Sequence, residues 1–184
     1  MKIATLLLTL TFLWHTTWAK TLDGVTLPDQ VTVNNTRLQL NGLGTRKATW
    51  FKVKVYVGGL YLAQKSHAPQ VILKSTTPKF INMHFVRDVS AEKLVRGWNE
   101  AFSNALGKQE KSFRPLLDKF NKTMGDIKEG EEIQLTFLTN KVIVKFAQRK
   151  PVEIIGPKIA RAILSVWFIN AADEGLRDGL LAKN

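Results

Sequence analysis

The chain has 184 residues, with 27 lysines and arginines against 15 aspartates and glutamates, and no cysteine. Lacking thiols, it has neither a disulfide framework nor a thiolate metal site, so an exported domain of this size must rest on its core alone. The formal charge of +12 is spread along the whole chain. This reads as a solvated basic surface, compatible with anionic lipid or acidic ligands but without the arm or reading motif of a nucleic-acid binder.

Taken in chain order, the first segment has the layout of a secretory signal peptide. Lys2 forms the basic start, residues 3–14 are apolar, and Thr17-Trp18-Ala19 ends in a small residue suited to cleavage after Ala19. The apolar run is shorter than the roughly 20 residues of a membrane span. An uncleaved anchor is the alternative reading. Residues 20–184 are expected to form one domain, and the absence of cysteine suits a bacterial periplasm better than a disulfide-stapled secretome.

Residues 24–33 alternate as a strand interrupted by Pro28, which favours a sheet edge. Asn34-Asn35 is a turn signal, and residues 37–40 alternate again. Gly42 and Gly44 are expected to break the chain into a glycine-rich turn that delivers Arg46. Residues 50–62 then read as one long strand, with Phe51, Val53, Val55 and Val57 on one face and Lys52, Lys54 and Tyr56 on the other. Gly58-Gly59 is expected to bulge or kink it.

Residues 69–74 suit a single helical turn, and residues 80–86 a strand with Ile81, Met83 and Phe85 on its apolar face. Ser90 then caps a helix carrying Leu94, Trp98, Ala101, Phe102 and Ala105 on one side, ended by Gly107. A second helix is predicted over 111–124, with Pro115 in its first turn and Gly125 closing it. Residues 132–137 and 142–146 make a β-hairpin, residues 152–155 a further short strand. A helix starting at Pro157 carries Ile159, Ala162, Ile163, Val166 and Trp167, and residues 173–181 form a last helical segment. The class is α+β.

The residues support little catalytic chemistry. After cleavage only His67 and His84 remain as histidines, the carboxylates show no ligand spacing, and there is no nucleophile elbow, phosphate loop or dinucleotide fingerprint. Neither metal nor cofactor is expected. Arg46 and Tyr56 are the exception: a guanidinium fork matches a carboxylate, and a phenol adds another donor. The competing reading is a surface arginine after a turn and a strand tyrosine packed on its neighbours. If strict alternation holds, Tyr56 shares a face with Lys52 and Lys54, and the carboxylate reading needs that face covered by helices. Trp98 and Trp167 sit on apolar stripes as core residues do.

Several motifs together resemble the chalcone isomerase-like superfamily, in particular an exported bacterial branch. They are Gly24-Val-Thr-Leu-Pro28, Leu40-Asn-Gly-Leu-Gly-Thr-Arg46, Lys54-Val-Tyr-Val-Gly-Gly-Leu-Tyr-Leu62, Ser90-Ala-Glu-Lys93 with Trp98, and Ala160-Arg-Ala-Ile-Leu-Ser-Val-Trp167. The resemblance implies an open-faced β-sandwich, a large antiparallel sheet covered by a layer of helices with a ligand cleft between them. Plant enzymes of the family close a flavanone ring without a cofactor, using a strand arginine to stabilise an oxyanion. By motif that arginine falls on Arg46. The other polar catalytic positions fall on Tyr56, on about Ser90 and on about Gly97, and the substrate-contacting pair falls near Val166 and Trp167.

Only the arginine is kept, so the resemblance is to the fatty-acid-binding relatives, in which arginine and tyrosine grip a carboxylate. The expected ligand is a fatty acid or similar amphipathic carboxylate. Its expected contacts are Arg46, Tyr56, Ser90, Leu94, Trp98, Phe102, Ile163, Val166 and Trp167. Two alternatives stand beside this reading: a chalcone isomerase-type lyase using Arg46 and Tyr56, and an accessory protein docking an acidic partner or anionic lipid.

Overall fold

A short hairpin, β1 (Ala19–Leu22) and β2 (Val25–Pro28), precedes a seven-stranded sheet in the computed structural model, which describes residues 19–48 and 51–183. The sheet strands are β3 (Gln30–Val33), β4 (Thr36–Ala48), β5 (Val53–Leu62), β6 (Lys79–Phe85), β7 (Glu132–Leu138), β8 (Lys141–Phe146) and β9 (Val152–Ile155). They pair in sequence order and are antiparallel throughout. Two tight turns have the chemistry such an arrangement needs. Asp23-Gly24 and Asn34-Asn35 both hold positive φ at their two central residues, the geometry whose twist matches that of the flanking strands. The expected signal segment, apart from Ala19, lies outside the described residues, as does Trp50.

Helix α1 (Pro69–Lys74) links β5 to β6. One sheet face is covered by α2 (Ala91–Leu106), α3 (Glu110–Asn121), α4 (Ile159–Leu164) with its 3-10 extension Ser165–Trp167, and α5 (Glu174–Leu180). Ser90 caps α2 through its hydroxyl, which accepts from the Lys93 amide, and Gly107 ends it at φ 53°. The main core lies between these layers. Leu60, Ile81, Phe85 and Leu135 from the sheet meet Phe102, Phe120 and Ile163 from the helices. Each such side chain contributes roughly 1.5–3 kcal/mol by leaving water. The opposite sheet face carries two smaller clusters, one of them Val25, Leu27 and Val57 beneath the β1–β2 hairpin. The chain is thus α+β with a large antiparallel sheet and one helical layer.

Several expected boundaries shift. Gly42 and Gly44 do not break the chain, because β4 runs unbroken through both. They are small because α5 lies backbone-to-backbone on β4. A Cβ on Gly42 would stand 2.2 Å from the Gly179 carbonyl oxygen, and one on Gly44 2.5 Å from that of Leu176. Gly58-Gly59 is not a bulge either, since both residues pair regularly with Met83 and Asn82 of β6. The irregularities fall elsewhere, between Leu40 and Gly42 and between Arg46 and Lys47. Pro28 divides the expected first strand into β2 and β3, which belong to different sheets. Strand β5 starts at Val53, and β6 covers Lys79–Phe85. Helix α3 spans Glu110–Asn121, so Pro115 stands in its second turn and Gly125 lies beyond its end.

Candidate functional site

Arg46 and Tyr56 are direct cross-strand partners on β4 and β5. The next pair is Lys47 with Lys54, so Val55 is an extra residue on β5 and forms a β-bulge. The bulge reverses the side-chain parity of the strand. Before it, Val53 and Val55 face the helices while Lys54 points the other way, its ammonium 2.5 Å from Asp23 Oδ1. After it, Tyr56, Leu60 and Leu62 join the helix-side core, and Val57 and Tyr61 turn to the opposite face. Strict alternation groups Tyr56 with Lys54 and Val57 with Val55, and the bulge overturns both pairings.

Where β4, β5 and β6 end beneath α2 and α5, the layers part around a cavity of about 620 Å³. Val53, Val55, Met83, Phe85, Leu94 and Trp98 give it apolar walls. Tyr56 and Trp167 form its inner surface, the Trp167 indole N–H donating to the Tyr56 oxygen at 3.2 Å. Trp98 stands edge-on to Trp167, with ring centres 5.5 Å apart. Because Trp167 donates into the phenol oxygen, the phenol proton is the group left to donate. Burial pushes the Tyr56 hydroxyl up to about 12, against the smaller opposing effects of the Trp167 hydrogen bond and the Arg46 charge. Tyr56 is therefore a neutral donor at physiological pH.

Arg46 is held from below by Asp173. Its Nη1 donates to the Lys47 carbonyl at 2.8 Å and lies 3.5 Å from Asp173 Oδ2, while the Lys47 amide donates to that same oxygen at 2.6 Å. Asp173 Oδ1 accepts from the Leu176 amide at 3.0 Å, which makes Asp173 the N-cap of α5. The side chain of Arg46 remains 27% exposed, and its Nε and Nη2 have no hydrogen-bond partner among the described residues. Arg87, Lys93 and Arg96 also line the cavity. Of the carboxylates there, Asp88 is bound by Lys128 at 2.8 Å, a contact that holds its carboxyl below the usual range.

Of the expected contacts, Arg46, Tyr56, Leu94, Trp98, Val166 and Trp167 converge on this cavity, and Ser90, Phe102 and Ile163 do not. Ser90 is spent on capping α2, and Phe102 and Ile163 are wholly enclosed by the core. Gly97 lines the cavity with nothing within 4 Å of where a Cβ would be. Sequence alone places Asp173 at the start of the last helical segment and assigns it no role in the site. Its one local signal is an aspartate immediately before a helical segment, which announces a cap but not the arginine it meets. Among the described residues no group of three or more potential metal ligands gathers, and no helix is long and apolar enough to cross a membrane.

The family described as chalcone isomerase-like matches residues 19–182. A search of curated proteins finds no match. Among solved structures, the crystal structure of a fatty-acid binding protein from Arabidopsis thaliana superposes with a TM-score of 0.66 at 17% sequence identity. The match covers 90% of this chain and 97% of the plant protein. The chain belongs to the chalcone isomerase-like family.

Proposed function

We propose that this chalcone isomerase-like chain is an exported, periplasmic, non-catalytic binder of a fatty acid or a similar amphipathic carboxylate. The observation that carries the reading is the Arg46–Tyr56 cross-strand pair on the wall of an apolar cavity between sheet and helices. The guanidinium supplies charge and a donor fork, and the neutral phenol supplies a second donor to the same head group. A cavity of about 620 Å³ is within the range of small-molecule sites. Burying about ten methylenes there offers roughly 8 kcal/mol at ~0.8 kcal/mol per CH₂, before the costs of association. The fold neighbour named as a fatty-acid binding protein supports the same reading.

The test compares dodecanoic acid with its methyl ester by titration calorimetry. Wild-type protein should prefer the acid, and Arg46→Ala should weaken the acid by tenfold or more while leaving the ester nearly unchanged. Equal binding of acid and ester before and after the substitution removes the head-group role. Cyclisation of naringenin chalcone above its spontaneous rate, abolished by Arg46→Ala, would instead favour an isomerase in which Arg46 stabilises an oxyanion.

A further inference from the structure

A second concavity lies at the other end of β6, about 20 Å from the first by the six-residue rise from Phe85 to Lys79. It is a cup of about 290 Å³ between the end of α1, the β7–β8 turn and the start of α4. Four cations line it, Lys74, Lys79, Lys158 and Arg161, and its lining contains no carboxylate. None of the four makes an ion pair with a described residue, whereas Lys54, Arg114, Lys128 and Lys141 each reach a carboxylate within 2.8 Å.

Lys79 is the distinctive member, because it is only 5% exposed. Its ammonium donates to the carbonyls of Ser75 at 2.7 Å and Thr77 at 2.9 Å. Two of its three N–H groups are thus used, and no counter-charge accompanies it. Burial pushes Lys79 down to about 8, the expected response of an ammonium kept from water without an anion. Thr76 and Thr139 add hydroxyls, and Asn140 an amide, to the same lining.

We propose that this cup binds a phosphate-class oxyanion, either free or as the head group of a phosphomonoester lipid. Four cations lining one cup exceed the charge of one carboxylate, and a tetrahedral dianion offers several acceptor oxygens to ammonium, guanidinium and hydroxyl donors. The cup is less than half the volume of the first cavity, which suits a compact head group rather than an acyl chain. Bound there, the anion supplies the counter-charge that Lys79 lacks.

Titration calorimetry with inorganic phosphate at physiological chloride tests the site, since screening under those conditions suppresses diffuse attraction to a basic surface. The full chain should show saturable one-to-one binding. The variant K158Q/R161Q changes two exposed side chains and should bind at least tenfold more weakly, as should Lys79→Met. Arg46→Ala should bind phosphate as wild type does, which separates this site from the carboxylate cavity. A titration that never saturates, or an unchanged affinity in K158Q/R161Q, overturns the proposal, as does a loss confined to Arg46→Ala. Phosphatidylcholine vesicles with and without phosphatidic acid distinguish the two sources. Retention on phosphatidic acid that is displaced by inorganic phosphate and lost in K158Q/R161Q identifies a head group. Solution binding without retention identifies the free ion.

Discussion

Trp167 donates its indole N–H to the phenol oxygen of Tyr56, joining the 3-10 turn after α4 to the middle strands of the sheet. The two residues are 111 apart in sequence, and both are buried. The contact fixes which hydrogen-bonding capacity of Tyr56 is spent and which is left for a ligand. Tyr56→Phe leaves the indole N–H without a partner and should cost about 1–3 kcal/mol in urea denaturation. Because Trp167→Phe removes the same bond from its other side, the double variant should lose less than the sum of the two. The expected coupling is about 0.5–1.5 kcal/mol. Additivity would show that the bond contributes nothing to stability.

Asp173 places a negative charge beside the guanidinium proposed to hold a carboxylate, 3.5 Å from Arg46 Nη1. Its other contacts are structural, to the Lys47 and Leu176 amides. Asparagine caps a helix about as well as aspartate. Asp173→Asn keeps one oxygen for the Leu176 amide but turns an NH2 toward the Lys47 amide and Arg46, so it should cost about 1–3 kcal/mol of stability while removing the like charge that a carboxylate ligand meets. Dodecanoate affinity should rise several-fold and methyl-ester affinity should not. A fall in acid affinity would mean that Asp173 serves chiefly to aim Arg46.

Two glycines make opposite predictions. At Gly44 an added methyl meets the α5 backbone at 2.5 Å, and backbone cannot step aside as a side chain does. Gly44→Ala should cost about 2 kcal/mol or more and raise amide exchange across α5. Gly97, inside α2, has open space around it. Gly97→Ala should stabilise the fold by up to about 1 kcal/mol through helix propensity alone. Chemical denaturation of both variants, with exchange mass spectrometry on Gly44→Ala, checks the pair.

These cases show which parts of the molecule local sequence reports. The Asn34-Asn35 turn, the Ser90 cap and the β7–β8 hairpin are legible because their causes lie within a few residues. Gly42 and Gly44 suggest chain breakers because turns are the commonest local use of glycine, whereas their actual reason is α5, more than 130 positions later. The bulge at Val55 is likewise invisible in the alternation of residues 51–57, because it exists only relative to the register of β4. Arg46 and Tyr56 could be picked out by residue type. That the bulge turns Tyr56 inward, and that Asp173 supports Arg46, depends on contacts between distant segments. Phe102 and Ile163 show the converse: an apolar stripe identifies a buried face without telling its cavity wall from its core, and Ser90, an exposed N-cap, shows that a motif position need not reach the cavity.

The buried ammonium of Lys79 gives stability a pH dependence of known sign. Its folded-state value is lowered to about 8 from the model-peptide value of 10.5. Between those values the unfolded chain binds more protons than the folded one, so stability rises with pH across that interval. Below about pH 8 the lysine is charged in both states and the destabilisation is fully present. The buried phenols act in the opposite sense at higher pH, since burial raises both Tyr56 and Tyr61 above 10.0 and makes the folded state hold its proton longer. The clean window is therefore pH 8 to about 10. Urea midpoints should climb through it in wild type, and Lys79→Met should flatten the climb. An equally steep rise in the variant would assign the dependence to another group.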